Sequence, residues 1–434
     1  MQQGYYGQPP YGQQPYGQQP YPPQGGHSPY PPQHNPHGPP PPHGYHQQPP
    51  PPGQYGQPPP SGQYGQPPPP GQYGQPPPPS QYGAPPYGQP QGNQGYYGGP
   101  PAQGGYMSGP PAPPSLGYVP GQLPPMDMSR EADAARAAMK GFGTDEKGLI
   151  AVMSRLDPLQ VEGVKQAFAH RHRRDLIKDI HSETSGYFRD GLIAIARGPL
   201  AQDVHNLNDA ISGIGTKETV LNDVLLGRSN ADMNAIKAAY HRTYKRSLES
   251  DVQGDLSMKT ERLFNMVLAA RRNEDSTPII PQQVDADVQE VYRATEGQKV
   301  GCDQIAVCSI LTSKSDGQLR AINQAYQQKY HRSLEEVLKK NFSGHMEDAL
   351  LFILNNAVDR AKHDASLLEA SMAGMGTKDN LLVNRVVRIS RDRGRMQQAK
   401  AAYRHFYKKE LRNRIEGETS GHYERLMVAL VDSA

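Results

Sequence analysis

The chain has 434 residues with 45 Lys and Arg against 42 Asp and Glu, and its net charge of +3 is too small by itself to argue for a nucleic-acid partner. Its two cysteines, Cys302 and Cys308, fit neither a disulfide framework nor a zinc pattern. It has no apolar run of about 18 residues and no basic-then-apolar leader, so a soluble cytoplasmic protein without a transmembrane segment is expected.

The charge is not spread along the chain. No Asp, Glu, Lys or Arg precedes Asp127, and 41 of the 45 prolines lie upstream of it. Residues 1–126 form a Pro/Gly/Gln/Tyr-rich tail in which Gly-Gln-Tyr-Gly-Gln-Pro-Pro-Pro recurs around Tyr55, Tyr64 and Tyr73. Ordering a residue costs roughly 1–2 kcal/mol, and the tail has too few aliphatic side chains to offset that, so disorder is expected. Its sixteen tyrosines on an uncharged polar chain are spaced as weak stickers, which suits tail-mediated self-association or protein partners as well as a plain spacer.

Beyond the tail the pattern becomes helical. Ser129 stands at the N-cap position of a helix over 130–140, and Thr144-Asp145-Glu146 marks the start of a second, with acid at the positive end of the helix dipole. Leu149, Ile150, Val152 and Met153 give that second helix an apolar stripe. Asp157-Pro158 pairs an N-cap with an N1 proline for a third helix. A fourth helix carries Leu176, Ile177 and Ile180, Thr184-Ser185-Gly186 breaks it, and Tyr187–Arg197 forms a fifth.

This pattern is then repeated three times. Ala167-Phe168 returns as Ala239-Tyr240, Ala325-Tyr326 and Ala402-Tyr403, each followed by basic residues and a leucine: Leu176, Leu248, Leu334 and Leu411. The intervals of 72, 86 and 77 residues assign repeats to 127–198, 199–274, 286–360 and 361–434. The longest interval holds a segment at 275–285 with Pro278 and Pro281, read as a linker between pairs of repeats. Four helical repeats with short connections form an all-α array.

One motif recurs with the repeats. Met139-Lys140-Gly141-Phe142-Gly143-Thr144 returns as Ile211-Ser212-Gly213-Ile214-Gly215-Thr216 and as Met372-Ala373-Gly374-Met375-Gly376-Thr377. Two glycines at i and i+2 let the backbone take positive φ and fan its carbonyl oxygens outward. An acid follows at near-constant distance: Glu183 and Asp255 lie 40 residues after Gly143 and Gly215, and Glu418 lies 42 after Gly376. The two extra residues of the fourth copy are placed around Arg391–Arg395. Carbonyls of Met139, Gly141 and Gly143 with a bidentate Glu183 make an oxygen-only set suited to Ca2+, which takes about 6–8 oxygens. By register the second set is Ile211, Gly213, Gly215 and Asp255, and the third is Met372, Gly374, Gly376 and Glu418. Each supplies about five oxygens and leaves room for water or a lipid phosphate oxygen. The third repeat fails in both halves: Lys299 replaces the first glycine, Cys302 the threonine and Asn341 the acid.

These residues resemble the annexin family. Lys140-Gly-Phe-Gly-Thr-Asp145 and Glu183-Thr-Ser-Gly186 look like the two halves of the annexin type II calcium site, and Glu418-Thr-Ser-Gly421 repeats the second half. The tail is similar in style to those of synexin-type annexins. The resemblance implies a curved disc of four five-helix repeats whose calcium loops lie on the convex face. It also implies peripheral, calcium-dependent docking onto acidic phospholipid membranes, with roles in membrane organisation, vesicle aggregation or trafficking, and no calcium site of this kind in the third repeat.

Other functions find less support. Gly-Ile-Gly-Thr-Lys217 is not a phosphate loop, because GxxxxGK[ST] is unmet and no strand precedes it, and neither HExxH nor GxSxG occurs, so no enzyme is expected. The histidines of the repeats sit mostly among basic helical residues and are read as solvated. The cluster His170-Arg-His-Arg-Arg174 has counterparts at Tyr244-Lys-Arg246 and Tyr407-Lys-Lys409, which favours a structural role over nucleic-acid binding. The alternative is a tail-driven scaffold or RNA-granule-associated protein with calcium-independent interactions.

Overall fold

The structure, a computed structural model, describes residues 109–433 except Ile214, Ser257, Lys299 and Val300. The disorder expected of the tail therefore falls, for 1–108, outside the described residues, as does Lys299. All regular structure among the described residues is helical, twenty helices in four runs of five. The first run is α1 (Ser129–Ala138), α2 (Glu146–Met153), α3 (Pro158–His172), α4 (Leu176–Glu183) and α5 (Gly186–Arg197). The second is α6 (Pro199–Ile211), α7 (Glu218–Leu225), α8 (Asn230–Tyr244), α9 (Leu248–Asp255) and α10 (Met258–Leu268). The third is α11 (Pro281–Thr295), α12 (Gln304–Ser313), α13 (Asp316–Tyr330), α14 (Leu334–Asn341) and α15 (Gly344–Val358). The fourth is α16 (Arg360–Met372), α17 (Asp379–Ser390), α18 (Arg393–Tyr407), α19 (Leu411–Glu416) and α20 (Gly421–Asp432).

The recurring residues make these helices the same way each time. Phe168, Tyr240, Tyr326 and Tyr403 are fully buried, each worth roughly 1.5–3 kcal/mol against exposure. The long helices α3, α8, α13 and α18 all end on a left-handed residue other than glycine: Arg173, Lys245, His331 and Lys408. The buried leucines 176, 248, 334 and 411 then open the next helix. Asp157 caps α3 in a capping box with Gln160, and Pro158 occupies its first turn.

Local details depart from expectation at both ends of this scheme. Met128, not Ser129, is the N-cap residue of α1, and the Ser129 hydroxyl instead donates to Asp127 at 2.7 Å. Asp145 caps α2 through Gly148 N at 2.9 Å, which frees Thr144 for another partner. The two extra residues of the fourth repeat lengthen α17 rather than the turn after it: α17 has 12 residues where α2 and α7 have 8. The segment read as a linker over 275–285 is already helical from Pro281.

The hydrophobic core has two parts. One joins the second and third repeats, with Leu207, Leu225, Tyr240 and Phe264 in continuous packing with Val291, Leu311 and Leu350. The other joins the first and fourth, with Leu149, Phe168 and Leu192 packed with Leu368, Val386 and Leu426. The expected pairing of neighbours across a central linker is thus corrected: repeats pair as one with four and two with three. Polar groups cross between the two cores. Arg385 sits buried on Asp223 at 2.7 and 3.2 Å, and Asn384 receives Gln202 at 3.2 Å and Asn206 at 3.0 Å.

The composition boundary at residue 126 is not the structural one. Residues 109–126 lie against the repeats: Gly109 N donates to Thr277 at 3.1 Å, and Ser115 donates to Asp232 through N at 2.7 Å and its hydroxyl at 2.6 Å. Tyr118 is buried in the core of repeats two and three, where its hydroxyl meets Asp203 and accepts from Arg228 at 2.6 Å. Burial beside Asp203 pushes that phenol well above the usual range.

Candidate metal centre

Each glycine motif lies in the turn between the first two helices of its repeat. One backbone bond closes that turn in every repeat: Asp145 N to Ala138 O at 2.8 Å, Lys217 N to Ala210 O at 3.0 Å, Asp303 N to Ala294 O at 2.8 Å and Lys378 N to Ser371 O at 2.8 Å. Gly141, Gly143, Gly215, Gly374 and Gly376 take positive φ, as does Gly301 in the third repeat. Gly213 does not, so the second copy turns on Gly215 alone where the other intact copies use two such residues. Among the described residues no atom lies within 4 Å of where a Cβ of any of these loop glycines would stand, so the requirement is conformational and the loops are open to an outside ligand.

Threonine brings the distant acid to the loop. The Thr144 hydroxyl donates to the carbonyl of Glu183 at 2.9 Å. Thr216 meets both the carbonyl of Asp255 at 3.0 Å and its carboxylate at 2.6 Å. Thr377 meets the carbonyl of Glu418 at 3.2 Å and its carboxylate at 2.9 Å. One hydroxyl thus ties the two sequence halves together across about forty residues in each intact copy. In the third repeat Cys302 replaces that hydroxyl, and Asn341 turns its amide back to Val337 O at 2.8 Å in its own helix. The third repeat closes its turn across nine residues, Ala294 to Asp303, where the others use seven, and it loses the clasp.

The flanking positions, Ile211 and Met372 at the ends of their first helices and Met139 as the C-cap of α1, have side chains in or against the core, so the main chain is what they offer to the loop. Among the described residues no three His, Cys, Asp or Glu side chains converge as a metal cluster. One acid and the main-chain oxygens of its glycine loop are what each of the three intact copies has to offer, a hard-donor set that would fit calcium better than a transition metal.

Charge differs among the three acids. The Glu183 carboxylate has no hydrogen bond or ion pair among the described residues, whereas Asp255 has the Thr216 hydroxyl. Glu418 has Thr377 and the guanidinium of Arg414. The Thr377 hydrogen bond first, with Arg414 adding to it, holds the Glu418 carboxyl below its ordinary range.

Two features escaped the sequence reading. The residue between the glycines is fully exposed where described: Phe142 and Met375 have relative exposures of 113% and 106%. An apolar residue at that place in all four copies was the available signal. The histidines also differ from expectation, because His345 and His363 are buried rather than solvated, and burial pushes both down to about 4. His345 Nε2 lies 2.9 Å from Asn222 Oδ1 within the shared core. The basic cluster at 170–174 closes the end of α3: Arg171 holds Asp133 at 2.8 and 2.6 Å, and Arg174 holds Asp179 at 2.6 Å.

The sequence pattern of one family, Annexin, matches residues 130–195, 202–273, 286–353 and 363–430. The chain belongs to the annexin family. Annexin C1 of Cryptococcus neoformans var. grubii is 42% identical over 309 residues, covering 70% of this chain and 65% of its own length. Annexin A7 of Homo sapiens is 36% identical over 305 residues, covering 70% of this chain and 62% of that one. The match thus spans less than two thirds of either relative. The solved structure of calcium-bound annexin (Sm)1 is 26% identical with a TM-score of 0.64, covering 73% of this chain and 91% of that one. Annexins in general bind phospholipid in a calcium-dependent manner, and this annexin carries the family's repeat in four segments. No helix among the described residues is long and apolar enough to cross a membrane.

Proposed function

We propose that this annexin docks peripherally on acidic phospholipid through three calcium loops, in repeats one, two and four. The clasp carries the reading, because Thr144, Thr216 and Thr377 each hold an acid against an open glycine loop. Bound calcium would supply the positive charge that joins these protein oxygens to a lipid phosphate. The main chain at Met139, Gly141 and Gly143 with Glu183 would hold it in the first repeat. Ile211, Gly213, Gly215 and Asp255 would do so in the second, and Met372, Gly374, Gly376 and Glu418 in the fourth. Phe142 and Met375, fully exposed between their glycines, would enter the headgroup region beside the ion.

Co-sedimentation with phosphatidylserine vesicles tests this. The protein is expected to pellet with calcium and to return to the supernatant with chelator, and equal pelleting in both overturns the bridge. The tail's role stays a second element of the proposal: tyrosine-spaced residues 1–108 would join membrane-bound copies and cluster vesicles. Vesicle turbidity that is the same with full-length protein, residues 109–434 and a Tyr→Ser tail would leave the tail a spacer.

A further inference from the structure

The position four residues before the clasped acid divides the repeats. In the first two it is itself acidic, and both acids are engaged by groups of their own repeat. Asp179 pairs with Arg174 at 2.6 Å and Arg136 at 3.4 Å, and Asp251 with the Tyr240 hydroxyl at 2.8 Å and Arg246 at 3.4 Å. In the fourth repeat the charges exchange places. Glu369 occupies the register of Arg136, and Arg414 occupies that of Asp179.

The exchange turns a guanidinium onto the loop. Arg414 Nη1 contacts Glu418 Oε1, its Nη2 donates to the main-chain oxygen of Met372 at 2.7 Å, and its Nε reaches Glu369 at 3.4 Å. Glu418 Oε2 is meanwhile held by Thr377 at 2.9 Å. Both oxygens of the acid and one main-chain oxygen of the same loop are thus engaged, two of these three by one cation. The comparison across loops is graded: Glu183 has no such partner among the described residues, Asp255 has a neutral hydroxyl, and Glu418 has a hydroxyl and a full positive charge.

We infer that Arg414 is a tethered counter-ion of the fourth loop, competing with calcium for Glu418 and Met372 and making this loop the last of the three to fill. The inference rests on the calcium reading given above. A guanidinium spans a carboxylate and a carbonyl with fixed donors, so it keeps the loop and acid together. A divalent ion at the same oxygens would have to move that charge aside, which raises the calcium needed at this loop and at no other.

The experiment uses the full chain and calcium alone as the probe. In a Glu183→Gln/Asp255→Asn background only the fourth loop keeps its acid. Calorimetric titration compares that protein with versions also carrying Arg414→Met or Arg414→Gln. Both are expected to lower the half-saturating calcium by about tenfold, since either removes the competing charge. An unchanged or raised half-saturation overturns the inference and makes Arg414 a scaffold residue. Thermal unfolding checks the fold, and the Gln variant, which can still hydrogen-bond to Glu418 and Met372, decides the matter if the Met variant does not fold. Adding Glu418→Gln to the background separates the two levels: calcium binding that survives there refutes the assignment of the loop itself rather than the role of Arg414.

Discussion

The second and third repeats share one hydrophobic core, yet they part at the glycine turn. Val291 and Tyr326 are buried as deeply as Leu207 and Tyr240, and a backbone bond closes the turn in both, from Lys217 to Ala210 in the second and, across two more residues, from Asp303 to Ala294 in the third. Besides the length of the turn, a hydroxyl and an acid differ: Thr216 and Asp255 meet, whereas the third repeat has Cys302 for the threonine and an Asn341 that bonds back to its own helix. Scaffold and site are therefore separable in this annexin. The fold asks for a turn at that place, and neither the turn nor the shared core requires the acid.

The largest expected effect removes that difference. Glu183→Gln, Asp255→Asn and Glu418→Gln together should abolish calcium-dependent pelleting with phosphatidylserine vesicles while thermal unfolding stays close to that of the parent. Retained pelleting would mean the acids are not the ligands. The reverse experiment repairs the third repeat with Lys299→Gly, Cys302→Thr and Asn341→Glu. Equilibrium dialysis should then find about one more calcium per chain if the glycine, threonine and acid suffice within a turn two residues longer than the others. An unaltered stoichiometry would place the defect elsewhere in the repeat.

Smaller changes separate the components. Phe142→Ser should weaken vesicle binding by about tenfold or more, the cost of no longer burying roughly 1.5–3 kcal/mol of aromatic surface. Calcium titration without vesicles should not move, and a shift there would tie Phe142 to the ion rather than the membrane. Thr216→Val should raise the calcium required at the second loop about fivefold, since a net hydrogen bond is worth ~1 kcal/mol. Asn341→Ala, the smallest change, should leave every calcium titration where it was. A shift as large as that of Glu183→Gln would show that the third repeat holds calcium in spite of its sequence.

Much of this was legible in the chain. The recurring Ala-aromatic pair and its following leucine marked the third and fourth helices of every repeat, because a buried aromatic and a helix start recur wherever the same unit recurs. The acid was legible for the same reason, as Glu183, Asp255 and Glu418 keep near-constant register to their glycines. The clasping role of Thr144, Thr216 and Thr377 was not, because a threonine before acidic residues also reads as a helix start. Nor was Arg414, whose partner Met372 O is 42 residues away and contributes only main chain.

By itself, then, the sequence determined the break in composition at Asp127, the four helical units and which three loops have an acid in register. These are all matters of spacing along the chain, and spacing is local information. Only the tertiary structure decided that repeat one shares its core with repeat four and repeat two with repeat three. It also decided that residues 109–126 belong with the repeats, through a tyrosine whose partners Asp203 and Arg228 lie far along the chain. Helices of nearly equal length and polarity can pack in several orders, and the order is settled by which faces and buried polar groups, such as Arg385 on Asp223, find their complement in space.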